Sequence, residues 1–257
     1  STDGTATVNF TGTNAVTASG IISAEVVDAS ALGGALTMNV AMESTAAATG
    51  SATLTGTAWS DTLKGDTGEA STINGGAGND KITGGSAKDT INAGEGNDTI
   101  YASAGKDVIN GEAGIDTINL GAASQTIDAG AGNDTVNAAG NLAYGQSIKG
   151  GEGVDVLITS GAVASNAAGD VVSGFEFFEF GGNFTQDLAM FANNTFTEIG
   201  LGGRTAHVDG VVNEKIVVNA ALAGDSSADL KDATGTADSI NIRLEQSQST
   251  NFTNLLT

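Results

Sequence analysis

Gly75-Gly76-Ala77-Gly78-Asn79-Asp80-Lys81-Ile82-Thr83 opens a stretch, running to Ile158, that repeats every nine residues. Units begin at Gly75, Gly84, Ala93, Ala102, Gly111, Leu120 and Ala129; a twelve-residue unit starts at Ala138, and the register returns at Gly150. The sixth place of successive units reads Asp80, Asp89, Asp98, Asp107, Asp116, Gln125, Asp134. The eighth place reads Ile82, Ile91, Ile100, Ile109, Ile118, Ile127, Val136. An aliphatic residue with a neighbour on either side predicts a short strand, its apolar side chain inward and the flanking ones outward. The six residues before it form a turn. Glycine reaches positive φ without steric cost, so such a turn can curl and aim its carbonyls inward. The Asp adds a carboxylate to that oxygen cluster. Hard cations take about six to eight oxygens, from carboxylates and carbonyls alike.

The pattern resembles the G-G-x-G-x-D-x-U-x nonapeptide of RTX proteins, which bind calcium. The resemblance implies an all-β protein: a parallel β-roll, or β-solenoid, with calcium-binding turns, two units to a coil. Turns on one edge are then every second unit, stacked about 4.8 Å apart.

That parity separates two edges. The first carries Gly75–Asp80, Ala93–Asp98, Gly111–Asp116, Ala129–Asp134 and Gly150–Asp155. Its candidate metal residues are Asp80, Asp98, Asp116, Asp134 and Asp155, with Gly76, Gly78, Gly94, Gly96, Gly114, Gly130, Gly132, Gly151 and Gly153 shaping the turns. The second edge is poorer. It carries Asp89 and Asp107, but Ala87 and Ala123 replace the fourth glycine, Lys88 and Lys106 flank the carboxylates, and Gln125 replaces an Asp. The expectation is an asymmetric roll. Four full sites lie between the five good turns, each sharing two Asp side chains and turn carbonyls, with one ion or none on the second edge. Counting Asp61 as a weaker partner of Asp80, about four to six calcium ions are expected in all. The thin core and stacked like charges further predict a roll that is unstable without calcium. The alternative is a metal-free solenoid in which Asn and Asp only make turns.

Composition is consistent with this. Acidic residues outnumber basic ones 30 to 9, for a net charge of −21. That balance argues against nucleic acid or anionic membrane as partners. It suits a chain whose charge bound cations partly cancel. There is no Cys, so no disulfide can hold a secreted form together. No apolar run is long enough to span a membrane. Without an initiator Met or a signal peptide, the chain reads as processed or as a fragment.

The flanks divide the chain into residues 1–54, calcium-poor β-solenoid coils; 55–159, the calcium roll; and 160–257, a β-rich segment with a Phe-rich core. Asp28-Ala29-Ser30-Ala31-Leu32 and Val172-Ser173-Gly174-Phe175-Glu176 resemble elements of bacterial surface-layer proteins of the RTX group. An independent N-terminal β-sandwich is the alternative for the first segment. In Gly56–Lys64, Asp61 and Leu63 keep phase, but Trp59 takes the fourth place. That turn is expected to bind poorly or cap the ladder, with Trp59 as a packing residue. Residues 65–74 lack the sixth-place Asp. Thr185 is a candidate cap for a short helix over Gln186–Ala192, followed by strands at His207–Val212 and Lys215–Val218. Asp229–Ile242 echoes the opening repeat and reads as another rung or the start of a further domain.

Catalytic motifs are missing. The single histidine, His207, excludes a histidine-based zinc cluster, and no nucleophile elbow, phosphate loop or cysteine nucleophile occurs. The chain is expected not to be an enzyme. The resemblance implies a structural segment of a secreted surface-layer protein. Such a protein leaves by type I secretion, folds on meeting extracellular calcium and tiles with neighbouring copies at the cell surface. Cell-surface polysaccharide is a further candidate partner. A spacer in an RTX adhesin, or the stabilising domain of a secreted RTX enzyme, are the alternatives.

Overall fold

A computed structural model describes residues 6–19, 22, 24–38, 52–121, 124–138, 146–159 and 172–180, together with the backbone of five short strands beyond them. Among the described residues the chain is a parallel β-solenoid with two long facing sheets and a further three-stranded sheet, and no helix occurs. The first sheet stacks β1 (Thr7–Asn9), β3 (Val26–Asp28), β5 (Ala52–Thr55), β7 (Ser71–Ala77), β9 (Thr90–Glu95), β11 (Val108–Ala113), β13 (Thr126–Ala131), β15 (Ser147–Glu152) and β17 (Val172–Ser173). The second stacks β2 (Val16–Ala18), β4 (Leu36–Met38), β6 (Thr62–Lys64), β8 (Lys81–Thr83), β10 (Thr99–Tyr101), β12 (Thr117–Asn119), β14 (Thr135–Ala138), β16 (Val156–Thr159), β18 (Phe177–Phe180), β20 (Glu198–Gly200) and β22 (Ile216–Val217). The chain alternates between them, so each coil gives one strand to each sheet.

The register is that of the repeat. Ile73, Ile91, Ile109, Ile127 and Ile148 are successive partners in the first sheet. Ile82, Ile100, Ile118, Val136 and Leu157 are partners in the second. Steps of 18 residues separate most of them. The step from Ile127 to Ile148 is 21, because the twelve-residue unit adds three residues on the second edge. All these aliphatic side chains are buried, together with small first-place residues such as Ala93, Ala102 and Ala129. The interior is thin, because a three-residue strand of the repeat can turn only its middle residue inward.

Outside, asparagines form ladders. Asn92 Nδ2 donates to Asn74 Oδ1 at 2.9 Å, Asn110 Nδ2 to Asn92 Oδ1 at 2.7 Å, and Asn137 Nδ2 to Asn119 Oδ1 at 3.1 Å. Identical side chains one rung apart satisfy one another because the parallel register is uniform.

The N-terminal strands continue the same two sheets: Val27 pairs with Leu54, and Leu54 with Ile73. They are coils of the solenoid and make no separate sandwich. Val172, Phe175 and Phe178 are buried at the other end, where larger side chains close the thin interior. The expected helix is not supported where it begins. Gln186 and Asp187 belong to β19 (Phe184–Asp187), while residues 188–192 lie outside the described residues. That strand pairs in parallel with β21 (Ala206–Asp209), which pairs with β23 (Leu230–Lys231). The expected strands near 207 and 215 are thus present in part. Most of Asp229–Ile242 lies outside the described residues.

Candidate metal centre

Both edges are built from the turns that join the sheets. Turns 75–80, 93–98, 111–116, 129–134 and 150–155 lie one above another on the first edge, as the parity of the repeat requires. The ladder enters the turns themselves: Gly76 is the partner of Gly94, and Gly130 of Gly151. Backbones approach so closely there that a β-carbon on Gly132 would run into the Gly114 carbonyl, and one on Gly96 into that of Gly78.

The carboxylates form a continuous rail. Each Asp N–H donates to Oδ1 of the Asp one rung later: Asp61 to Asp80, Asp80 to Asp98, Asp98 to Asp116, Asp116 to Asp134 and Asp134 to Asp155, all at 2.7–2.8 Å. The five aspartates from Asp80 to Asp155 are at most 3% exposed. Their second oxygens behave differently from the first. Oδ2 of Asp80, Asp98, Asp116, Asp134 and Asp155 is buried and has no hydrogen-bond partner. A buried, unpaired polar atom is costly, and more so when it carries charge.

Elsewhere that second oxygen is engaged. Asp61 Oδ2 accepts from the Thr57 backbone N–H at 2.6 Å. Asp89 Oδ2 accepts from the Gly85 backbone N–H. Asp107 Oδ2 accepts from Gln125 Nε2 at 3.0 Å. Backbone conformation accounts for the difference. In all five first-edge turns the second and fourth places have positive φ, as at Gly76 (113°) and Gly78 (107°). Thr57 and Gly85 do not, and their N–H groups turn toward the carboxylate. The 102–107 turn has the positive-φ form, at Ser103 (65°) and Gly105 (120°). Its carboxylate escapes orphanhood because the Gln125 amide reaches down from the next rung.

Burial, opposed in part by the backbone N–H bonds, pushes the carboxyls of Asp80 and Asp116 up to about 7, with like charge from neighbouring aspartates adding to the shift. Asp98, Asp107 and Asp155 are raised to about 6, and Asp61, Asp89 and Asp134 move the same way, again mainly by burial. A closed row of carboxyls raised by burial marks a candidate functional site.

The donor set suits a hard cation. Among the described residues no group of three or more Asp, Glu, His or Cys gathers so as to hold a metal by side chains alone. A cation held on this edge would draw on backbone carbonyls besides the carboxylates, an all-oxygen donor set of the calcium type. The sequence-derived residues of the first edge all fall on its stacked turns. Asp89 and Asp107 fall on the second edge, and Asp61 closes the N-terminal end of the rail.

Several residues of the site escape the repeat pattern. Glu176 Oε2 accepts from the Asp155 N–H at 2.8 Å, as the next Asp of the rail would. Thr57 ties its turn together, its hydroxyl donating to Asp61 Oδ1 at 2.9 Å and accepting from the Trp59 N–H at 2.9 Å. Glu112 takes positive φ (72°) where glycine stands in the other first-edge turns. Trp59 is 56% exposed and is not a packing residue, because the fourth place crests the turn.

The RTX calcium-binding nonapeptide repeat family matches the chain in four copies, at residues 55–91, 66–100, 83–118 and 120–141. No curated protein and no solved structure matches the chain. The stacked turns, the buried carboxylate rail and this match agree, and the chain carries an array of RTX calcium-binding nonapeptide repeats.

Proposed function

We propose that this chain is a calcium-dependent structural segment of a secreted surface-layer protein, without catalytic activity of its own. The observation that carries the calcium dependence is the set of five buried, unpartnered Oδ2 atoms on one edge. Calcium held by Asp80, Asp98, Asp116, Asp134 and Asp155 with carbonyls of their turns would neutralise the row. Four ions between five turns is the corresponding number, and the second edge is the calcium-poor one. Low calcium inside a cell leaves the carboxylates repelling one another and the chain unfolded for export; millimolar calcium outside folds it. The surface-layer role is supported by the flanking segments, which continue the solenoid at both ends and give the array repeated lateral faces for tiling.

Far-ultraviolet circular dichroism before and after chelation tests the calcium dependence. Loss of the β signal on chelation and its return on adding calcium are expected; an unchanged spectrum would refute it. Electron microscopy of the parent protein tests the layer. Ordered sheets that form only with calcium are expected, and dispersed single particles at all calcium levels would sink that role.

A further inference from the structure

We infer that the cation ladder extends one position beyond the last nonapeptide, into a site between turn 150–155 and turn 174–176 in which Glu176 stands in the place of an Asp. This rests on the calcium-ladder reading above. The four gaps between the five good turns do not use up the orphaned oxygens evenly. The arrangement around Gly75 gives the direction: a β-carbon there would meet Asp80 Oδ2 and the carbonyl oxygen of Ala93, one rung later. Gly111 repeats this with Asp116 Oδ2 and the Ala129 carbonyl. A first-place glycine thus sets Oδ2 of its own turn beside the first carbonyl of the following turn, at Gly56 and Gly84 as well; what sets the five first-edge aspartates apart is that this oxygen has no hydrogen-bond partner. Four of the five then belong to inner gaps. The fifth, Asp155 Oδ2, faces a turn that is not a nonapeptide.

That turn supplies the missing parts. A β-carbon on Gly150 would meet Asp155 Oδ2 and the Gly174 carbonyl oxygen, the same pairing as at Gly75 and Gly111. Glu176 continues the rail through its bond from the Asp155 N–H. The turn is short. Ile148 and Leu157 are nine residues apart, whereas their partners Val172 and Phe178 are six apart. Three turn residues are gone, and the extra methylene of Glu restores the reach. Asp155 is fully buried, so its lone oxygen has no water to turn to. At the opposite end the gap below Asp80 has no such oxygen, since Asp61 Oδ2 is bonded to Thr57. The ladder is therefore closed by hydrogen bonds at its start and by a cation at its finish. The ligand class is a hard divalent cation, calcium in an extracellular setting.

Calcium bound per chain, measured by equilibrium dialysis for the whole chain and for Glu176→Gln, tests the site. The amide still accepts the Asp155 N–H but carries no charge. The variant is expected to fold on adding calcium and to bind one ion fewer. Equal numbers bound with equal affinity would overturn the terminal site and leave the ladder standing. No calcium bound by the unaltered chain would overturn the ladder itself. If Glu176→Gln does not fold, anomalous scattering from crystals of the unaltered chain grown with calcium decides. A peak bounded by Asp155, Gly174 and Glu176 supports the site; peaks in the inner gaps alone refute it.

Discussion

At the scale of single residues, one carboxylate carries two roles. Oδ1 accepts a backbone N–H and holds the turn in register, while Oδ2 is buried without a partner and is the oxygen proposed to meet a cation. An Asp116→Asn variant keeps the first role and weakens the second. Calcium affinity is expected to fall about tenfold, or ~1.4 kcal/mol, by calorimetric titration, while Asp89→Asn changes it little. The raised carboxyls also set a pH dependence. Their folded values of about 6 to 7 lie above the ordinary carboxyl value of 3.8. Without calcium, the stability they contribute is therefore full below about pH 4 and is lost as pH rises through 6 to 7. Calcium-free protein should regain more β signal, by far-ultraviolet circular dichroism, at pH 5 than at pH 8. Calcium-loaded protein should show the reverse, because protons displace the ion. Backbone demands act at this scale too. Gly132 has φ 141° and faces the Gly114 carbonyl, so Gly132→Ala should cost roughly 1–3 kcal/mol in denaturant titrations with calcium present.

At the scale of the element, each three-residue strand of the repeat, such as Thr99–Tyr101 or Thr117–Asn119, contributes one buried side chain, and its neighbours above and below complete the packing. Ile118 is fully buried between Ile100 and Val136. Ile118→Ala should destabilise the calcium-loaded protein by about 2–5 kcal/mol, read by chemical denaturation. The second edge shows what replaces an ion. Gln125 donates to Asp107 Oδ2 from the neighbouring rung, giving that oxygen the partner its first-edge counterparts lack. Gln125→Asp places a second carboxylate there. It should raise the number of ions bound by one, measurable by equilibrium dialysis. An unchanged count would show that the 102–107 turn lacks the carbonyl set despite its positive-φ form.

At the scale of the whole molecule, coils touch only their neighbours, so stability is a sum along one axis. A net charge of −21 opposes that stacking. The nonapeptide period, together with the two-unit coil that the RTX resemblance implies, made the sheets, the pairing register and the two edges readable in advance, since neighbours in space are then residues 18 apart in the chain. The twelve-residue unit was readable for the same reason: an insertion lengthens one turn and leaves the strands in step. Gly94, Gly96 and Asp98 could be assigned to one stacked turn from spacing alone. Other features depended on distances between coils. Whether a carboxylate oxygen meets an N–H, an amide or nothing depends on φ at Thr57, Gly85 or Ser103 and on what the next rung offers. Glu176 joins the rail across a turn three residues too short to keep the period, and a cresting turn exposes Trp59. The linear order of residues thus determined the coil, because a parallel solenoid maps spacing directly onto stacking. Only the folded chain decided which oxygens go unpaired, because that depends on backbone angles and contacts between rungs that no period records.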